Sequence, residues 1–132
     1  MKKRVVITGV GMITPLGLTT GESWEAMKAG KCGVGKITRF DASEYPTQIA
    51  AEIKGFNPET YIEPKEVKKM DTFIHYAIAA SQMAMDDSGL MITPDIADNV
   101  GVMVGAGMGG LPAIETYHKV VLEKGPRRIS PF

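Results

Sequence analysis

The sequence predicts an α/β fold built around a parallel sheet, and three features carry the prediction. Two short apolar runs, residues 5–8 and 100–104, read as strands buried on both faces. Each run leads into a glycine-punctuated loop, residues 9–17 and 105–110, and each loop leads into a helical pattern. Between them lies a long apolar helix over residues 71–88. Strand, glycine turn and helix in succession mark an α/β chain, whose ligands bind at the carboxyl ends of strands beside such turns. One wall of any site is therefore expected at residues 99–111.

Taken in order, residues 4–10 form the first strand. Lys2, Lys3 and Arg4 ahead of an apolar run also suit a signal peptide, but Gly9, Gly11 and Pro15 interrupt the run and no small-residue cleavage site follows. A strand opening the sheet is the better reading. Thr19 and Glu22 have capping-box spacing, which starts a helix that runs to Ala29 with Gly30 as its stop. Trp24 and Met27, three apart, are expected to face the core. Residues 33–46 carry turn formers and read as surface loop. A strand over 47–53 follows, anchored by Ile49 and Ile53, and Asn57-Pro58 marks a turn.

Residues 64–70 form a short basic turn of helix. Asp71 then caps the long helix, and Gly89 stops it. Its apolar residues cover most of its circumference, as in helices at the centre of a larger protein. Ala77, Ala79, Ala80, Ser81 and Ala84 allow a neighbour to approach closely. Asp86 and Asp87 oppose the dipole at this end, and nothing local in the sequence accounts for them. After a Thr93-Pro94 turn come the strand over 100–104, its glycine loop and a last helix over 111–123. Pro112 suits that helix's first turn, Ile114, Tyr117 and Val121 make its apolar stripe, and Gly125-Pro126 ends it.

Composition bounds the function. With 132 residues, 44% hydrophobic and 23% charged, the chain has an ordinary globular make-up with enough length for one core. Fifteen basic residues balance fifteen acidic ones, so no global field draws it to nucleic acid or membrane, and electrostatic recognition must be local. No apolar stretch approaches the ~20 residues that span a bilayer. A single cysteine, Cys32, excludes an internal disulfide framework and fits a reducing cytoplasm. Cys32 lies in a Gly/Lys turn, far in sequence from His75 and His118, and reads as a loop or packing residue rather than a nucleophile. No metal constellation and no HExxH, Walker or GxSxG signature appears, so the reading calls for no metal and no cofactor.

Two motifs remain. Gly105-Ala-Gly-Met-Gly-Gly110 matches G-x-G-x-x-G between a strand and a helix, the context of dinucleotide binding. That fingerprint also wants an acidic residue closing a second strand about 20 residues on, whereas Glu123 closes a helix. Glycines needed only for tight turning and close packing are the alternative. Lys65, Lys68 and Lys69, at i, i+3 and i+4, share one helical face, and Arg127 and Arg128 lie in a later loop. They form a solvated face or, if they converge, a docking patch for an acidic partner.

Five segments together resemble the elongating β-ketoacyl-acyl carrier protein synthases, the synthase II type above all. They are Arg4-Val-Val-Ile-Thr-Gly-Val-Gly-Met-Ile-Thr-Pro-Leu-Gly17, Lys68-Lys-Met-Asp71 with its helix, Asp86-Asp-Ser-Gly-Leu90, the 105–110 glycine loop, and Pro126-Arg-Arg-Ile-Ser-Pro-Phe132. They occur in family order across the whole chain. The resemblance implies a thiolase-like layered α/β/α/β/α fold, with residues 1–132 as an incomplete N-terminal part of the synthase N-terminal domain, working as a cytoplasmic homodimer. It implies decarboxylative condensation of an acyl group with malonyl-acyl carrier protein in fatty-acid elongation.

In the family a cysteine carries the acyl chain and two histidines assist decarboxylation, all downstream of the segment matched here. Cys32, His75 and His118 do not match them, so the chain alone is expected to be inactive, an N-terminal piece that ends as if cut. The resemblance places Met108 in the acyl pocket, where the usual occupant is branched or aromatic. It makes Phe132 a residue that reaches the partner subunit's acyl pocket. Lys65, Lys68, Lys69, Arg127 and Arg128 match the basic surface that docks acyl- and malonyl-loaded acyl carrier protein. Two other classes stay open: a non-catalytic carrier-protein-binding module, and a nucleotide-binding α/β domain using the 105–110 loop.

Overall fold

The computed structural model describes residues 2–129. Its elements are helix α1 (Thr20–Lys28), strands β1 (Val34–Lys36) and β2 (Ile49–Ala51), and helices α2 (Pro64–Val67), α3 (Thr72–Ser88), α4 (Pro94–Ala97) and α5 (Leu111–Lys124). Single 3-10 turns cover Pro58–Thr60 and Pro126–Arg128. The chain forms two compact units: one takes the chain up to Asn57 together with Ala79–Leu90, the other Pro58–Ile78 together with the chain from Met91 onward.

In the first unit, α1 begins as its sequence dictates. The Thr19 hydroxyl accepts the Glu22 N–H at 3.1 Å, and the Glu22 carboxylate reaches back to the Leu18 N–H at 2.7 Å. Gly30, at φ +65°, ends the helix, with the Gly30 N–H on the Met27 carbonyl and the Lys31 N–H on the Ala26 carbonyl, both at 3.0 Å. The buried face is not the expected one. Ser23 and Ala26 are buried, while Trp24 and Met27 are exposed. The reason is a polar staple: the Ser23 hydroxyl donates to the Gly17 carbonyl at 3.2 Å and lies 2.8 Å from the Thr14 hydroxyl, which turns the small face of α1 onto the 14–17 loop. Trp24 stays at the surface with Lys28 6.0 Å above its ring.

Residues 4–10 form no ladder, contrary to the expected strand, and Val5 and Ile7 are 93% and 86% exposed. Val10 is nonetheless anchored. Its N–H donates to the Asp87 carboxylate at 2.9 Å, and its carbonyl accepts from the Thr20 hydroxyl at 3.1 Å. The glycines on either side lie directly against α3. A Cβ on Gly11 would overlap the Ala80 carbonyl, and one on Gly9 the Ala84 carbonyl. That is the close neighbour the small residues of this helix admit.

β1 and β2 pair antiparallel, with Gly35 opposite Ala50. β1 falls where a loop was expected. β2 is shorter than the expected strand, and Ile49 is exposed rather than an anchor. Past the ladder, the Glu52 carboxylate accepts both the Thr38 N–H at 3.0 Å and the Thr38 hydroxyl at 2.6 Å. These bonds favour the charged form and hold the carboxyl below its ordinary range.

In the second unit, His75 is buried near the start of α3, and its Nε2–H donates to the Val67 carbonyl of α2 at 3.0 Å. α5 runs from Leu111 with Gly110 as its left-handed N-cap to Lys124, with Gly125 as its C-cap. Residues 100–104 again form no ladder, against the expected strand, and Val102 and Met103 are 89% and 98% exposed. Both apolar runs have strand character, and neither finds a partner strand among the described residues.

Candidate functional site

In the second unit the start of α3, the end of the 105–110 loop and the start of α5 come together. Asp71 organises them. One carboxylate oxygen accepts the Thr72 N–H at 2.6 Å, and the other accepts the Ala113 N–H at 3.3 Å. The side chain thus serves two helix N-termini at once, where helix dipoles favour an anion. α5 needs this help because its own N-cap, Gly110, has no side chain to offer.

Phe73, in the first turn of α3, makes the second link. A Cβ on Gly109 would lie 2.7 Å from Cε2 and Cζ of the Phe73 ring. Only a residue without a side chain allows the loop to rest on the ring in this way. Met108 lies between this contact and the open part of the loop. It is 76% exposed, and Gly105 and Gly107 meet nothing nearby.

An open groove of about 430 Å³ runs beside these links, lined by Lys68, Lys69, Met70 and Phe73 on one side and Thr116 and Tyr117 on the other. The α5 face that borders it continues through Ala113, Tyr117, Val120 and Lys124, at helical spacing. At its far end Val120 and Lys124 line a second depression with Arg128. Lys68 and Lys69 therefore stand at one end of this face and Arg128 at the other. Lys69 is held by Glu66 at 2.9 Å. Lys65 and Arg127 are exposed and line neither depression. Phe132 lies outside the described residues.

The nucleophile and base candidates lie away from this groove. Cys32 is exposed, with Sγ 3.9 Å from the Val34 carbonyl. The His75 Nε2–H is taken up by Val67, and His118 is exposed on α5. Among the described residues, no group of three His, Cys, Asp or Glu side chains is placed to hold a metal ion. No described helix is long and apolar enough to cross a membrane. The glycine loop departs from the dinucleotide context: no ladder strand precedes it, and Glu123 sits in the last turn of α5. Sequence reasoning singled out Asp71 as a cap but missed its bond to Ala113, and it missed Phe73 as the seat of the loop. The one available signal was a glycine-rich loop lacking a capping side chain, which requires a cap from elsewhere.

Residues 2–132 match the family model of the β-ketoacyl synthase N-terminal domain. The 3-oxoacyl-[acyl-carrier-protein] synthase 2 of Coxiella burnetii is 49% identical over 131 residues, 99% of this chain and 32% of that protein. The synthase 2 of Vibrio cholerae is 47% identical over the same shares. Among solved structures, a β-ketoacyl synthase from Burkholderia phymatum superposes with a TM-score of 0.77 at 31% identity, covering 98% of this chain and 32% of that one. The ishigamide ketosynthase/chain length factor gives 0.73 at 31% identity, covering 96% and 32%. The α/β, thiolase-like expectation thus holds at the level of fold, and the chain spans about a third of the length of the curated relatives it matches. With the family model of the β-ketoacyl synthase N-terminal domain matched from residue 2 to residue 132, the chain belongs to that family.

Proposed function

We propose that this chain is the N-terminal segment of a 3-oxoacyl-[acyl-carrier-protein] synthase of the second type. The whole enzyme would condense an acyl group with malonyl-acyl carrier protein, with loss of carbon dioxide, in the cytoplasm and as a homodimer. The observation that carries the reading is 49% identity, across 99% of this chain, to a protein named for that activity. In this reading Met108 and Phe132 belong to the acyl pocket, and Lys65, Lys68, Lys69, Arg127 and Arg128 to the surface that docks the acidic carrier protein. The basic ends of the α5 face support the docking role, since opposite charge steers association.

The segment alone supplies binding surface and no chemistry. Cys32 is exposed, with its Sγ toward the Val34 carbonyl, and His75 is committed to a backbone carbonyl. The test compares this chain with the full-length enzyme, given acyl- and malonyl-carrier protein. Condensation by the full-length enzyme alone is expected. Acyl transfer onto Cys32, seen by mass spectrometry, would overturn the division of labour. In the full-length enzyme Lys68→Glu and Arg127→Glu should each slow carrier-protein association, with the effect shrinking as salt rises. Unchanged association in both would return these residues to a solvated face.

A further inference from the structure

We propose that Phe73 is a positioning residue for acyl chain-length selection: its ring is the seat on which the 105–110 loop rests, and through that loop it sets where Met108 stands. The inference deepens the proposed function and rests on the placing of Met108 in the acyl pocket.

The geometry is a clamp with two jaws on one turn of helix. Asp71 holds the start of α5 through the Ala113 N–H at 3.3 Å. Phe73, two residues on, meets Gly109 so closely that a Cβ there would fall 2.7 Å from two ring carbons. Gly110 lies between the jaws: its Cβ position would be 3.8 Å from both the Asp71 carboxylate and the Phe73 ring. On the other side of Met108, Gly105 and Gly107 have open space around them. The contacts to Phe73 and Asp71 thus hold the loop at its helix end. Met108 is the side chain next to the fixed point.

An unbranched, flexible side chain does not define a pocket boundary by its own shape. Its backbone position has to be imposed, and the contact that imposes it here is a flat ring against a residue without a side chain. Displacements of the order of an ångström at such a contact are enough to change turnover on the order of a hundredfold. Phe73 also lines the groove that begins at Lys68 and Lys69, so the seat of the loop and the proposed docking residues share one short stretch of chain.

The experiment uses the full-length enzyme and measures kcat/KM for a short and a long acyl primer. Phe73→Leu keeps an apolar side chain but removes the flat ring. Gly109→Ala disturbs the same contact from the other side. Each is expected to move the long-to-short ratio by on the order of tenfold, with carrier-protein affinity unchanged. Phe73→Tyr keeps the ring and should keep the ratio. The double variant Phe73→Leu/Gly109→Ala should lie nearer the wild type than the sum of its parts, because Leu leaves room for the added methyl. Amide exchange over residues 105–111 should quicken in Phe73→Leu and not in Phe73→Tyr. A ratio unmoved in both single variants overturns the inference, whatever happens to the overall rate, as does simple additivity in the double variant. A wild-type enzyme with no condensing activity would instead overturn the functional reading, and this inference with it.

Discussion

The backbone N–H of Val10 donates to the carboxylate of Asp87 at 2.9 Å, tying an extended segment near the start of the chain to the last turn of α3. The carboxylate opposes the dipole of its own helix, and this bond to an outside donor accounts for its place there. Asp86 beside it accepts from the Gln82 side chain, one turn earlier on the same helix, at 2.8 Å. Asp87→Ala should therefore cost about 1 kcal/mol and speed amide exchange at Val10, because a charge-assisted bond at an exposed site is lost. Asp86→Ala should stay within about 0.5 kcal/mol. Equal effects of the two, by urea midpoint, would show that the Val10 bond contributes nothing.

Gly11 is where added volume has nowhere to go. Its missing side chain is occupied by the Ala80 carbonyl, and backbone cannot swing aside as a side chain can. Gly11→Ala should destabilise by about 1–3 kcal/mol or more. Gly21, within α1, meets nothing within 4 Å, so Gly21→Ala should stabilise by up to about 1 kcal/mol through helix propensity. The two urea midpoints should move in opposite directions. A neutral Gly11→Ala would mean that this segment does not lie on α3.

The hairpin should be acid-sensitive. Thr38 donates twice to the Glu52 carboxylate and holds its pKa below the ordinary 4.5. A carboxyl whose folded pKa is depressed adds stability above its unfolded pKa and loses it as pH falls through the folded value. Protection of the Thr38 amide should therefore be steady above about pH 5 and decline below the ordinary Glu range. In Glu52→Gln that decline should disappear. An identical pH profile in both proteins would assign the loss to another group.

Met108 offers the direct test of the pocket. Met108→Phe adds a rigid ring where a flexible chain can move aside. In the full-length enzyme it should lower kcat/KM for long primers by about tenfold or more while short primers still react. Equal loss for both would remove the 105–110 loop from the pocket wall.

What was legible in the sequence was what short-range chemistry decides. The Thr19–Glu22 cap, the Gly30 stop, the start of α3 at Asp71 and the span of α5 all rest on residues within a few positions of one another. Residues 5–7 and 102–104 announced strand character but not a partner, because ladders pair at long range. β1 hid among turn formers because it exists through β2. Trp24 and Met27 misled because size does not decide orientation when a serine opposite can make two hydroxyl contacts. The proposed pocket roles come from family resemblance alone, and the proposed docking roles from that resemblance together with the spacing of the basic residues. The seating of Gly109 on Phe73 was not legible at all, since nothing in either residue's neighbourhood names the other.

The exposure of Val5, Val6 and Ile7 gives a second meaning to the three cations before them. A β-branched run without a partner is a template for cross-β growth, and its usual guard is a flanking charge. Lys2, Lys3 and Arg4 occupy that gatekeeper position, placing like charges wherever two such runs would stack in register. Because synthesis runs from N- to C-terminus, the guard leaves the ribosome before the run it protects. Replacing Lys2 and Lys3 by Ser should then shorten the lag of fibril formation by this chain, followed by thioflavin fluorescence. A lag that does not change would leave these cations without that part in keeping the chain soluble.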